Sequence, residues 1–167
     1  MKLYTIGLIT LFVIIGCSKE PINYETTLFV RDGVYYTIDT NKPYSGQVFS
    51  LFPDGKKNSE GTLKRGYING LWTEWYENGQ PKFQFTFKNG ELDGLFTTWD
   101  DNGQKKNQGT NKDGELDGLL TNWHENGKKK SVKTYKDGKE DGLFTNWHEN
   151  GQKRSEETYT YGKKDGL

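Results

Sequence analysis

The sequence predicts an all-β protein: an elongated, single-layer antiparallel β-meander built from 24-residue hairpin repeats. Self-similarity at a fixed period of this size is the signature of a repeat array. Three sets of residues recur at intervals of 24 positions: Gly70, Gly94, Gly118, Gly142 and Gly166; Trp75, Trp99, Trp123 and Trp147; and Asn78–Gly79, Asn102–Gly103, Asn126–Gly127 and Asn150–Gly151.

Each repeat is predicted to fold as a β-hairpin. Asn78–Gly79 suits a type I′ turn, because both central residues of that turn need a positive φ. The flanking runs are rich in aromatic residues and threonine, which favours strands. Lys88–Asn89–Gly90 and its equivalents make a second reversal, so strand follows strand by tight turns and no helix is expected.

A two-residue turn also predicts a register. Strand alternation places Leu71, Thr73 and Trp75 on one face, with Trp75 opposite Lys82. The same arithmetic pairs Trp99 with Lys106, Trp123 with Lys130 and Trp147 with Arg154, which gives an alternating Trp–cation row that cation–π contacts would stabilise. The candidate binding surface therefore consists of Trp75, Trp99, Trp123, Trp147, Lys106, Lys130 and Arg154.

The N-terminus predicts an export signal and an anchor. Residues 1–16 suit a signal peptide, and their apolar stretch is short for a membrane span of about 20 residues. The sequence Ile14–Ile15–Gly16–Cys17 resembles a bacterial lipobox, which implies cleavage before Cys17 and lipidation of that residue. Cys17 is the only cysteine in the chain. Ser18 after it resembles the outer-membrane-directed class if the cell is Gram-negative.

The mature chain is predicted to have three parts. Residues 17–23 form a lipidated tether, and residues 24–45 form an N-terminal capping hairpin around Asp32–Gly33. Residues 46–167 form the repeat array, with repeats starting at 46, 70, 94, 118 and 142 and a partial one at 166.

The composition favours a repeat array and not a domain with one closed hydrophobic core. Only 31% of the chain is hydrophobic and 21 residues are glycine, yet the aromatic share of 14% is high for a disordered chain. Stacked hairpins reconcile these values, because each buries its aromatic residues against its neighbours. With 23 basic and 23 acidic residues, no global field indicates a nucleic-acid partner.

The residues that carry chemistry do not form a predicted active site. His124 and His148 recur one repeat apart, and equivalent positions of successive hairpins are about 10 Å apart. Zinc needs its ligands at about 2.0–2.2 Å, so one ion cannot join the two histidines. A flat sheet offers little concavity to perturb a carboxylate. We expect no catalytic residues, no metal and no cofactor, and therefore no enzyme.

The repeat pattern G-L-x-T-x-W-x-x-N-G-x-x-K resembles the bacterial variant of the MORN repeat over about residues 28–167. The resemblance implies an elongated single-layer sheet used for contacts with proteins or membrane surfaces, and some bacterial members are labelled as antitoxin components. This chain departs from the pattern in its lone tryptophans and in the polar second-strand residues Asn107, Ser131 and Ser155.

The function that these features predict is a non-enzymatic, lipid-anchored repeat protein of the bacterial cell envelope that acts as a scaffold for an unidentified protein partner. Its membrane contact is the lipid on Cys17. One alternative is a module that binds surface glycan through the Trp column. Another is an antitoxin-like or immunity-like protein that masks a toxic partner. The basic cluster Lys128–Lys129–Lys130 suits either an anionic partner or cross-strand pairing within the sheet.

Overall fold

The computed structural model describes residues 19–166, and this part of the chain contains sixteen strands and one short helix. The strands are β1 (Ile22–Asn23), β2 (Leu28–Arg31), β3 (Val34–Thr37), β4 (Gly46–Leu51), β5 (Lys57–Lys64), β6 (Tyr67–Ile68), β7 (Gly70–Trp75), β8 (Pro81–Lys88), β9 (Glu91–Trp99), β10 (Lys105–Lys112), β11 (Glu115–Leu116), β12 (Gly118–Trp123), β13 (Lys129–Lys136), β14 (Lys139–Trp147), β15 (Lys153–Thr160) and β16 (Lys163–Lys164). The helix α1 spans Tyr24–Thr27.

The fold class is confirmed. Fourteen strands form one open sheet in the order β1-β4-β5-β7-β8-β9-β10-β12-β13-β14-β15-β16, with β6 paired to β5 and β11 to β10. From β4 onward every pairing is antiparallel between strands close in sequence, as a meander requires. The predicted signal peptide, Cys17 and Leu167 lie outside the described residues.

The Asn–Gly turn differs from the predicted type I′ turn. The amide of Gly79 donates to the carbonyl of Tyr76 (2.9 Å), and the amide of Tyr76 donates to the carbonyl of Gln80 (2.9 Å). Positive φ falls on Gly79 alone, at 84°. This pattern is typical of a three-residue loop, a type I turn followed by a left-handed glycine. The side chain of Asn78 caps the loop by accepting the amide of Gln80 at 2.9 Å.

Type I′ geometry occurs instead at the second reversal. Asn89 and Gly90 both have positive φ, 51° and 89°, and they join the paired residues Lys88 and Glu91. Asp113–Gly114 and Asp137–Gly138 repeat this arrangement. The two reversals of each repeat therefore belong to different turn classes.

The extra loop residue shifts the register beside the turn. Thr73 faces Gln84 and Leu71 faces Thr86 as predicted, but a β-bulge between Glu74 and Trp75 pairs Trp75 with Pro81. The predicted partners of the tryptophans are therefore wrong by one residue, since Trp99 pairs with Lys105, Trp123 with Lys129 and Trp147 with Lys153.

The repeat sheet has two different faces. We call the face that carries Leu71, Thr73 and Trp75 the leucine face. The threonine lies in the middle of the sheet and is 4% exposed, whereas the leucine is 54% exposed. The opposite face, which we call the aromatic face, carries Trp72, Phe85 and their equivalents.

The N-terminal segment covers the aromatic face of the first repeat. Leu28 and Tyr44 pack against Val48, Leu63 and Trp72 in the main buried cluster. The strands β2 and β3 form a separate two-stranded sheet, so residues 24–45 lie over the array as a local second layer.

The first strand belongs to the main sheet. Ile22 and Asn23 pair in parallel with Val48 and Phe49. These two residues are thus held by backbone hydrogen bonds and do not form part of a free tether.

Candidate functional site

The four tryptophans lie in one row across the leucine face. Lys57 Nζ lies over the ring of Trp75, 5.5 Å from its centroid, and Lys105 Nζ lies 5.9 Å from the centroid of Trp123 in the next repeat. These contacts cross between hairpins, so the row is continuous. We call it the Trp–Lys row, and it contains Leu51, Lys57, Trp75, Pro81, Trp99, Lys105, Trp123, Lys129, Trp147 and Lys153.

The predicted cations Lys106, Lys130 and Arg154 lie beside this row. They are the additional residues of the bulges and are exposed. Lys106 Nζ is 3.6 Å from a carboxylate oxygen of Asp100, which follows Trp99. The structure therefore places the four tryptophans in one row as expected. The residues paired with Trp99, Trp123 and Trp147 are the lysines one position before the predicted cations.

Some cations of the row are neutralised locally. Lys57 pairs with Glu60 at 2.5 Å, and Lys153 pairs with Glu156 at 2.6 Å. The hydrogen bond from Lys153 and its positive charge hold the pKa of Glu156 below its ordinary value. All of these side chains are substantially exposed, so each pair contributes little to stability.

Other cations near the row are free. Within residues 19–166, Lys105, Lys129, Lys130 and Arg154 have no ion-pair partner. These cations surround Trp123 and Trp147, so cations without an ion pair among residues 19–166 are concentrated at the C-terminal half of the row.

A recess opens beside the tryptophan on its turn side. In the last full repeat it has a volume of about 580 Å³ and is lined by His124, Trp147, His148, Glu149, Asn150, Gln152 and Arg154. A recess of about 410 Å³ occupies the corresponding place in the second repeat, where Trp75, Tyr76 and Lys82 replace Trp147, His148 and Arg154. The recess therefore recurs along the array with a different polar lining.

Contacts between consecutive turns define the wall of this recess. Asn126 donates through Nδ2 to the carbonyl of Glu149 at 2.8 Å, and Asn78 makes the same contact to Asp101 at 2.6 Å. The Nε2 atom of His124 lies 2.9 Å from the carbonyl oxygen of Trp147, where Tyr76 donates its hydroxyl to the carbonyl of Trp99. In each of these two repeats, two side chains thus hold the turn against the next one.

The described residues contain no group of three or more histidine, cysteine, aspartate or glutamate side chains that could hold a metal ion. His124 uses a ring nitrogen for the inter-repeat contact described above. His148 is exposed and lines the recess. His124 therefore contacts the next repeat, whereas His148 lines the recess.

The polar second-strand residues bond within the sheet. Asn107 donates to Thr98 (3.0 Å), Asn122 to Ser131 (2.8 Å) and Asn146 to Ser155 (3.0 Å), which builds a polar ladder on the aromatic face. These polar groups stabilise cross-strand pairs.

Sequence reasoning missed the exposed leucine column as a surface. Leu71, Leu95, Leu119 and Leu143 are 54%, 53%, 57% and 48% exposed and stand on the same face as the Trp–Lys row. Their recurrence in the repeat pattern was the available signal. The alternation of the strand assigned their face, but their exposure follows from the lack of a covering layer over the described array.

The MORN repeat variant family model matches residues 68–89, 92–113, 116–137 and 140–161, together just over half of the chain. The chain belongs to this family. It is a non-catalytic repeat family whose repeats generally mediate contacts with proteins or membranes. The hairpin of β4 and β5 precedes the matched blocks and has the same pairing.

No curated protein matches this chain in sequence. Among residues 19–166 no helix has the length and apolarity needed to cross a membrane.

Proposed function

We propose that this protein is a non-enzymatic, lipid-anchored scaffold of a bacterial envelope, and that its leucine face binds a protein partner. The observation that carries the proposal is the column of half-exposed leucines, which recurs beside the Trp–Lys row in the four hairpins that begin at residues 70, 94, 118 and 142. Successive leucines are about 10 Å apart, because each hairpin adds two strand spacings.

This column has the features of a protein interface. A run of exposed apolar side chains rimmed by polar residues marks an interaction surface more often than scattered single ones do. The neighbouring tryptophans and charged residues supply the aromatic groups and polar rim typical of such interfaces. Because the sheet is hydrogen-bonded throughout, a partner would meet a preorganised surface and little ordering entropy would oppose binding.

The proposed anchor would hold this surface close to the membrane. Lipid on Cys17 is five residues before Ile22, which already pairs with β4. A fully extended link of that length spans about 17 Å at most. The proposal thus expects a partner that is itself at the membrane surface.

The anchor can be tested by metabolic labelling with a clickable fatty acid in a bacterial host. The wild-type chain should take up label and sediment with membranes, and Cys17→Ser should lose both. Label on the Cys17→Ser variant, or membrane association that survives the substitution, would contradict the lipid anchor.

The leucine column can be tested by capture from native envelope extract with chains that lack residues 1–17. A protein captured at fixed stoichiometry should persist after glycan digestion and be lost with Leu95→Ser/Leu119→Ser. Ile38→Ser is the matched control, because Ile38 is a 61% exposed apolar residue away from the column. Equal loss with the control variant, or retention by the leucine variant, would contradict the assignment.

A second candidate function is glycan binding, and the free cations around Trp123 and Trp147 favour it. It uses a different set of side chains from the leucine column, so each function can fail while the other holds.

A further inference from the structure

We propose that the Trp–Lys row and the recess beside Trp147 bind an extended acidic polysaccharide that carries a carboxylate on every second sugar and lies across the strands. The proposal deepens the second candidate function and is independent of the leucine column. Its ligand runs along the array, from repeat to repeat.

The period of the row matches such a ligand. Each hairpin advances the row by about 10 Å, close to the length of a disaccharide in an extended chain. One tryptophan and one cation therefore meet each disaccharide. An extended peptide advances about 3.4 Å per residue and presents same-face side chains about every 6.8 Å, which drifts out of phase with the repeats.

The chemistry of the row fits alternating apolar and anionic groups. Indole rings offer apolar surfaces for the C–H faces of sugars, and the lysine ammonium groups next to them suit carboxylates. Lys105 Nζ stands 5.9 Å from the Trp123 centroid, so stacking and charge pairing occur within one sugar unit. Lys105 and Lys129 have no ion-pair partner in the described chain, so a carboxylate bound beside Trp123 breaks no internal pair. At Lys57 and Lys153 the ligand carboxylate would take the place of Glu60 or Glu156.

The recess beside Trp147 and a second, acidic recess differ in charge. This difference predicts which end of the row binds the anionic ligand more tightly. The recess beside Trp147 is lined by the possible donors Arg154, His148 and Gln152 and by one carboxylate, Glu149. Arginine is suited to carboxylates because its planar guanidinium donates two parallel hydrogen bonds. A neighbouring recess of about 470 Å³ is lined by Tyr76, Asp100, Asp101, Asn102 and Glu125 and would repel an anion. We therefore place the tightest carboxylate contact at Arg154.

Calorimetric titration with hyaluronan oligosaccharides tests the proposal, because this polymer has one carboxylate per disaccharide. Oligosaccharides about four disaccharides long match the four tryptophans. We expect binding that weakens with salt and is lost when the carboxylates are methyl-esterified. Arg154→Gln and Lys129→Gln should each weaken binding about tenfold, since each removes a charge-assisted contact.

Lys139→Gln is the matched control, because it removes the same charge from an exposed side chain away from the row. It should bind like the wild type. The three substituted side chains are exposed, so we expect unchanged melting temperatures that exclude unfolding as the cause.

Three results would overturn the proposal. The first is equal binding of the esterified oligosaccharide. The second is an equal effect of Lys139→Gln and Arg154→Gln. The third is the absence of oligosaccharide binding by the wild-type chain. In that case two other probes would be tried: a (Glu-Pro-Pro) repeat peptide, whose polyproline II turn rises about 9.3 Å, and vesicles rich in phosphatidylglycerol. Binding of either probe that depends on Arg154 would assign the row to a different class of partner.

Discussion

Different glycines of this chain answer different constraints. Gly79 and Gly90 have positive φ and serve the turns. Gly109 lies inside β10 without positive φ, and there the constraint is space. A Cβ at this position would stand 2.8 Å from Cε1 of Phe96 and 3.1 Å from Cδ1 of Leu120. The ring of Phe96 therefore packs directly over the backbone of the neighbouring strand.

We predict that Gly109→Ala destabilises the protein by about 1–3 kcal/mol, the usual cost of overpacking a close contact. Denaturant unfolding followed by tryptophan fluorescence measures the loss. The matched test is the same substitution in a Phe96→Leu chain, where the smaller side chain leaves room. If Gly109→Ala costs as much there as in the wild type, the close approach of Phe96 is not the reason for the glycine.

At the scale of the element, the hairpin is defined by its two unlike turns. The Asn–Gly turn adds the bulge that places Trp75 opposite Pro81. Its asparagine also contacts the next repeat, because the Oδ1 atom of Asn126 accepts the amide of Lys128 (3.0 Å) while Nδ2 reaches the carbonyl of Glu149 (2.8 Å). The same side chain thus closes one hairpin and couples it to its neighbour.

We predict that Asn126→Ala costs about 1 kcal/mol more stability than Asn150→Ala. Asn150 closes an equivalent turn by accepting the amide of Gln152 (2.9 Å), but its Nδ2 bonds to Gln152 of its own turn. The difference between the two free energies of unfolding compares the bond between repeats with the exposed bond that Asn150 makes within its own turn. Equal losses would show that this bond contributes nothing beyond the turn itself.

At the scale of the whole molecule, burial is concentrated at the N-terminal end. Trp72 is 5% exposed because residues 24–45 cover it, whereas its equivalents Phe96, Leu120 and Phe144 are only half-buried. Within residues 19–166, the last repeat lacks such a cover and contains two ion pairs. Lys164 bonds to Glu157 at 2.9 Å, and Lys153 bonds to Glu156 at 2.6 Å.

Acid should therefore weaken the last repeat. The hydrogen bond from Lys153 lowers the pKa of Glu156, and the hydrogen bonds from Lys164 and Tyr159 lower that of Glu157, both below an ordinary value of about 4.5. A lowered pKa means that each carboxylate stabilises the fold above that ordinary value and that this contribution is lost as pH falls through the lowered one.

We predict that the urea midpoint falls between about pH 7 and pH 3 in the wild type and falls less in Glu156→Gln/Glu157→Gln. The control is Glu91→Gln/Glu125→Gln, which removes two exposed carboxylates without ion-pair partners among residues 19–166. An equal reduction in both double variants would assign the acid sensitivity to net charge in place of these two pairs.

The sequence by itself determined the repeat, the strand content, the antiparallel meander and the face of the leucines, threonines and tryptophans on the first strand of each repeat. Fixed columns of glycine and tryptophan and strict alternation are local properties, and local properties decide strands and turns. Alternation along each strand was therefore enough to place the leucines and tryptophans on one face correctly.

Tertiary structure alone decided the details that build the candidate site. An Asn–Gly pair is compatible with both a two-residue and a three-residue loop. Because the loop has three residues, Trp99 pairs with Lys105 and not with the predicted Lys106. The recess beside Trp147 and the cover over Trp72 likewise join residues that are distant in sequence. Such contacts depend on how hairpins stack, because the free energy of packing between strands, and not the propensity of any one strand, selects the register and the covered face.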